Sequence, residues 1–174
     1  MAETMIKLTE DREQIISLWS AVFGDSREDI EFFLDKCKNY SCLGLFDSGT
    51  LASMLFLVDC KYSEYNGQYV YAVCTAEKYR KKGYSSSLIN EAKKQMRDFL
   101  WLIPANDGLF RFYSKHGFET KLFSEGEFEN EIEFDENDDI IEYLYEGSDY
   151  EFPKGMICSK LDLPEGSTGI KDKR

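Results

Sequence analysis

The sequence predicts a single α/β (α+β) domain, built on a mixed, mostly antiparallel sheet of about seven strands flanked by about four helices. Three observations lead there. The chain has 174 residues, 43% hydrophobic and 15% aromatic, which supplies one core but not two. Its apolar period changes at Ser41 from helical spacing to alternation. Further on, the run Tyr69 to Leu88 reads as a strand, a basic glycine loop and a helix, with a second apolar strand behind it.

Met5 to Leu8 is a short strand. Thr9 then caps a helix through Phe23 whose buried face is Ile15, Leu18, Trp19 and Val22, and Gly24 stops it. Ser26 caps a second helix with Asp29 three residues on and Ile30, Phe33, Leu34 and Cys37 as its stripe. Cys42 to Phe46, Leu51 to Tyr62 and Gln68 to Thr75 form a meander, turned at Asp47-Ser48-Gly49 and at Asn66-Gly67. Ser85 to Phe99 has helical spacing through Leu88, Ile89, Ala92 and Met96, and Leu100 to Ile103 is a strand that Pro104 ends. Asp107 to Lys115 is a helix closed at Gly117, and Phe118 to Phe123 is a strand. Between Ser124 and Glu151, glutamates alternate with Phe128, Ile132 and Phe134, and Ile140 to Tyr145 returns after a turn at Asp135 to Asp139. This predicts an acidic β-hairpin inserted before a last strand, Met156 to Leu161. From Pro164 the tail is polar and loose.

Composition removes several function classes. Five widely spaced cysteines without a CxxC pair and a single histidine, His116, leave no metal or redox centre to assemble, and they suit reduced thiols in a cytoplasm. Neither a leader nor a membrane span is expected, because Met1 to Glu10 is mixed and polar. Thirteen acidic residues fall between Ser124 and Glu151, a stretch without Lys or Arg, so a net charge of −12 becomes +1 for the remainder. That balance opposes nucleic acid as a partner and favours cations.

Two segments carry chemistry. In the first, strand Tyr69 to Thr75 feeds Tyr79-Arg80-Lys81-Lys82-Gly83-Tyr84-Ser85 and then a helix. Backbone N–H groups converge at a helix N-terminus beside basic side chains, and Gly83 lets the backbone approach a phosphate, which makes an anion site. An ordinary strand-to-helix turn with exposed lysines is the alternative for this loop taken alone. The second segment, Asn106 to Phe118, follows the apolar strand and holds Tyr113-x-Lys115-x-Gly117-Phe118.

Together, Arg80-x-x-Gly83-x-Ser85 and Asn106 with Tyr113-x-Lys115-x-Gly117-Phe118 resemble motifs A and B of the GNAT N-acetyltransferase superfamily, over about Met5 to Leu163. The resemblance implies a GNAT-like fold for residues 1–163, including an acidic insertion at 124–153, with 164–174 as tail. It implies a sheet opened beside Leu100 to Ile103 to admit pantetheine, and acetyl-CoA as cofactor. Arg80, Lys81, Lys82, Gly83, Tyr84 and Ser85 would cradle the pyrophosphate, the backbone of Val73, Cys74 and Thr75 would pair with pantetheine, and Asn106 would hold its arm. Tyr113 matches the tyrosine that protonates the departing thiolate; a phenol with a reference pKa of about 10 stays protonated at neutral pH. A packed helix aromatic is its other reading. Ser85, Glu77 and Leu109 depart from the family's usual small residue, proline and alanine, and none of them removes a backbone donor.

The implied reaction is direct acetyl transfer to a primary amine of a small molecule or a peptide, the acceptor being cationic given the charge. It needs a base to deprotonate the amine. Asp59 and Glu64 are candidates, and neither is assigned. Cys74 as a covalent acyl carrier is set against Cys74 as core packing, and His116 suits a helix end. The acidic hairpin either draws a cationic acceptor or is a solvated face whose apolar residues a second copy would cover in a homodimer. The alternative to an enzyme is a non-catalytic acyl-CoA-binding regulatory module acting through that hairpin.

Overall fold

A computed structural model describes residues 3–123, 130–137, 140, 143–144, 154–160 and 168–170. Contacts divide the chain into two units, residues 1–57 with 70–94 and residues 58–69 with 95–174.

The first unit holds β1 (Thr4–Leu8), α1 (Arg12–Phe23), α2 (Arg27–Lys36), β2 (Tyr40–Asp47), the larger part of β3 (Thr50–Tyr62), the later part of β4 (Tyr65–Thr75) and α3 (Tyr84–Gln95). Its strands run in the order β1-β2-β3-β4, and β1 lies antiparallel to β2 with Met5 opposite Phe46. The cap of α1 is Asp11, whose carboxylate accepts from the Gln14 N–H at 3.2 Å, and not Thr9. Thr9 instead accepts from the Asp11 N–H at 3.1 Å through its hydroxyl, while its own N–H extends the β1–β2 ladder to Cys42. The helix therefore starts two residues later than its composition suggests. Ser26 caps α2 as predicted, accepting from the Asp29 N–H at 3.2 Å. The core of this unit is aromatic: Trp19 of α1, Phe33 of α2 and Phe56 of β3 meet with centroids 5.2–5.4 Å apart, and Tyr71 of β4 joins them.

The second unit holds the end of β3, the start of β4, β5 (Phe99–Leu102), α4 (Asp107–Lys115), β6 (Glu119–Phe123), β7 (Asn130–Phe134), β8 (Lys154–Ser159) and β9 (Thr168–Ile170). Strand order is β4-β5-β8-β6-β9-β7, and β7 also pairs with β3 at Cys60↔Phe134. The β3–β7, β5–β8 and β6–β8 pairs are antiparallel, and β4–β5, β6–β9 and β7–β9 are parallel. Tyr69, Trp101 and Phe134 form its aromatic core, with Tyr69 and Trp101 centroids 4.5 Å apart.

Three sequence expectations shift here. The turn into β4 falls at Ser63-Glu64, not at Asn66-Gly67. Gly67 lies inside the strand opposite Phe99, where a Cβ would sit 2.4 Å from the Phe99 ring, so this glycine answers a close approach and not a turn. Nine strands are present among the described residues where the sequence predicts about seven: β7 lies in the stretch read as the acidic hairpin, and β9 in the stretch read as a loose tail. Much of the predicted acidic hairpin, including residues 124–129 and 145–153, lies outside the described residues. Within β7 the alternation holds, with Glu131 and Glu133 exposed and Ile132 and Phe134 buried. Where the pattern predicts a returning strand, however, Ile140, Tyr143 and Leu144 are helical; both edges of β7 are taken by β3 and β9.

Candidate active site

The first unit builds the loop. After Thr75 the chain makes a short 3-10 turn at Glu77–Tyr79, in which the Tyr79 and Arg80 N–H groups donate to Ala76 and Glu77 at 2.9 and 3.2 Å. Lys81 then takes φ 67° and Gly83 φ 78°, with Lys82 between them on the ordinary side. This alternation of hand gathers successive N–H groups into a concave nest at the start of α3. The amides of Lys81, Lys82, Gly83, Tyr84 and Ser85 donate to no group among the described residues. Unsatisfied donors at a helix N-terminus, with the positive end of its dipole behind them, fit a pyrophosphate. Lys81 and Lys82 are exposed beside them, and the Lys78 and Lys82 ammonium groups lie 4.9 and 5.6 Å from the Tyr79 ring centre. Nothing lies within 4 Å of the Cβ position of Gly83, so its backbone hand, not crowding, is what asks for glycine there.

The side chains of this segment are occupied differently from their backbone. Arg80 turns back, its Nε donating to the Thr75 carbonyl at 3.2 Å. Ser85 and Thr75 join through their hydroxyls at 2.8 Å, and Tyr84 reaches Asp47 at 2.5 Å. Upstream, β4 pairs with β5 only over Gly67–Tyr69, and Ala72 adopts φ 53°, a left-handed kink just before Val73, Cys74 and Thr75. Burial, with the neighbouring Cys42 as a smaller cause, pushes the Cys74 thiol up to about 12. It stays protonated at neutral pH, so core packing describes Cys74 and an acyl-carrying thiolate does not.

The second unit carries α4. Asn106 is its N-cap, with Oδ1 accepting from the Leu109 N–H at 3.2 Å. Its Nδ2 amide has no acceptor among the described residues, and the residue is exposed, leaving a donor for a ligand. Tyr113, seven residues on, is 6% exposed, with its ring edge against Phe112 and Phe118 at 5.0 and 5.8 Å. Its hydroxyl makes no hydrogen bond among the described residues, and burial holds the phenol well above its ordinary pKa. His116 closes the helix, with its ring 4.9 Å from Phe112. Of the two candidate bases, Asp59 accepts from Gln68 Nε2 at 3.0 Å and Glu64 is exposed in the β3–β4 turn. Residues absent from the sequence reading of the site are Asp47, taken only as a turn residue, and Ser53, hidden in an apolar strand. The single signal for Ser53 is a hydroxyl in the run Leu51 to Val58.

The acetyltransferase (GNAT) domain model matches residues 6–121, a span that takes in both the nest and Tyr113. The chain belongs to the GNAT acetyltransferase family. As a member it is an acyltransferase domain, and the family's cofactor is acetyl-CoA. Among solved structures, this GNAT domain is similar to a Bacillus subtilis acetyltransferase in complex with CoA, at 16% identity and TM-score 0.60 over 91% of this chain and 100% of that one. It is also similar to the ribosomal-protein-S18-alanine N-acetyltransferase of Escherichia coli, at 15% identity and TM-score 0.60 over 94% and 97%. At such identities the likeness is one of fold. The chain spans 17% of a fungal multi-domain β-N-acetylglucosaminidase that contains a glucosamine N-acetyltransferase region, and 33% of a probable N-acyltransferase from Enterococcus faecalis. No curated protein matches it by sequence. Among the described residues no helix is long and apolar enough to cross a membrane.

Proposed function

We propose that this GNAT domain transfers an acetyl group from acetyl-CoA directly to a primary amine of a small molecule or peptide. The observation that carries the reading is Tyr113, a phenol almost fully buried whose hydroxyl has no partner among the described residues. A buried hydroxyl left unpaired is destabilising by about 1–3 kcal/mol, and a proton donor kept ready for a ligand accounts for its presence.

The bound thioester would supply the acetyl carbonyl and a thiolate leaving group. In this chain, the amides of Lys81 to Ser85 hold the pyrophosphate, Lys81 and Lys82 add charge, and the backbone of Val73 to Thr75 and the Asn106 Nδ2 position the pantetheine arm. The amine would enter with one proton already lost to solvent. As its nitrogen forms its bond to the carbonyl carbon and the C–S bond breaks, Tyr113 would give its hydroxyl proton to the departing sulfur, and the amide nitrogen's excess proton would pass through solvent and restore the phenol. Burial favours the protonated phenol, so the donor is present throughout the neutral range. The rest of the acceleration comes from orienting the two substrates. An acceptor that is itself cationic suits the chain's net charge of −12. The protein would work in the cytoplasm, in keeping with five cysteines that form no disulfide among the described residues.

The test is acetyl transfer to a panel of polyamines, aminoglycosides, amino acids and peptides, followed by mass spectrometry, with wild type and Tyr113→Phe in parallel. An acetylated amine formed by wild type and lost in Tyr113→Phe is the expected result. Unimpaired turnover by Tyr113→Phe would remove the phenol from the mechanism.

A further inference from the structure

The first unit contains a file of three hydroxyls that the acyl-CoA reading does not use. Ser53, on β3, is fully buried in an apolar run. Its Oγ lies 2.9 Å from the Cys74 carbonyl and 2.8 Å from Thr75 Oγ1, and Thr75 Oγ1 lies 2.8 Å from Ser85 Oγ in the first turn of α3. One arrangement of protons satisfies all three contacts. The Cys74 carbonyl only accepts, so Ser53 donates to it; Thr75 must then donate to Ser53, and Ser85 to Thr75. The file points inward, and the Ser85 hydroxyl is committed before any ligand arrives.

A second tie reaches the same turn of helix from another strand. Asp47, at the end of β2, is 5% exposed and accepts from the Tyr84 hydroxyl at 2.5 Å and from the Ser48 hydroxyl at 3.3 Å. It has no ion pair among the described residues. A buried carboxylate without a cation is an expensive way to hold two elements together. It is kept here on the residue that opens α3, next to the nest. Two consecutive residues, Tyr84 and Ser85, are thus pinned to three strands by their side chains while their own amides donate to no group among the described residues.

We propose that Asp47 and Ser53 are positioning residues for the anion nest: acting through Tyr84 and through Thr75–Ser85, they fix the first turn of α3 so that the free amides from Lys81 to Ser85 converge on the pyrophosphate. The inference rests on the acyl-CoA reading of that nest. It also assigns Ser85 to the loop's framework, with only its N–H facing the ligand. Preorganised donors bind more tightly than donors that must be ordered on binding, because the ordering entropy is settled when the protein folds.

The test is calorimetric titration of CoA into wild type, Thr75→Val, Thr75→Ser, Ser85→Ala and Tyr84→Phe, at a temperature well below each variant's melting point. Valine is close to threonine in shape but can neither donate nor accept, whereas serine keeps both functions. Expected are a rise in Kd of about tenfold for Thr75→Val and for Tyr84→Phe, recovery in Thr75→Ser, and a loss in Ser85→Ala equal to that in Thr75→Val. Equal CoA affinity in wild type, Thr75→Val and Tyr84→Phe would overturn the positioning role. A far larger loss in Ser85→Ala than in Thr75→Val would overturn the inward direction of the file by making Ser85 a phosphate donor. Failure of wild type itself to bind CoA would instead remove the acyl-CoA reading. Tyr84 is only half-buried, so its phenylalanine variant keeps the question open to measurement if a Thr75 variant does not fold.

Discussion

Replacing Tyr113 with phenylalanine should move stability and rate in opposite directions. The substitution deletes one oxygen from a side chain that is 6% exposed, and the ring contacts with Phe112 and Phe118 stay in place. No hydrogen bond among the described residues is lost with it. Folding therefore no longer strips water from a hydroxyl that receives no partner among the described residues in return, and the variant should gain about 1 kcal/mol. For a chain of this size that is about 2–4 °C in Tm. The acetylation rate should fall by about 10²-fold or more, the ordinary contribution of a general acid, and CoA affinity should be unchanged. Differential scanning fluorimetry and the mass-spectrometric transfer assay read the two effects on one preparation. A Tm lower by several degrees would refute the reasoning, because it would show that the hydroxyl is satisfied in the folded protein and serves packing.

Gly83→Ala should lower CoA affinity and reduce stability by about 1–2 kcal/mol, seen by calorimetry and thermal melting, because alanine is strained at φ 78° even though its methyl meets nothing. Gly67→Ala should be worse, about 1–3 kcal/mol by denaturant titration, since its methyl would sit 2.4 Å from the Phe99 ring. The protein should also weaken at alkaline pH. Burial pushes the Cys42 and Cys74 thiols up to about 12 in the folded state, so from about pH 8.5 upward the unfolded chain loses protons that the folded chain keeps. Stability then falls as pH rises towards 12, by about 1.4 kcal/mol per pH unit for each thiol. Between pH 9 and 10, Cys74→Ala should show a shallower decline in urea midpoint than wild type, and an unchanged slope would contradict the burial of that thiol.

Local signals in the chain are enough for much of this architecture. The caps at Ser26 and Gly24, the helix Asp107 to Lys115 and the strand–loop–helix order around Gly83 depend on residues close together in sequence, and the structure places them where the pattern does. The nest in the first unit and the helix cap in the second are each legible for the same reason. A nest of amides and a helix N-cap are made within about ten residues, so Arg80 to Ser85 and Asn106 announce themselves.

What the sequence leaves undecided is which edge each strand meets and what each side chain touches. Asn66-Gly67 has the composition of a turn, yet Phe99, thirty-two residues away, needs the space that only glycine leaves. Thr168 to Ile170 becomes strand because β6 and β7 each present an edge to it, and Asp11 displaces Thr9 as cap because the Thr9 N–H belongs to the β1–β2 ladder. The same applies to chemistry. The sequence names Tyr113, Ser85 and Thr75, but a hydroxyl looks alike whether it is buried without a partner among the described residues, as in Tyr113, or engaged in an inward file, as in Ser85. Hydrogen-bond satisfaction depends on neighbours distant along the chain, and only the folded chain brings Ser53 and Asp47 to the helix they hold.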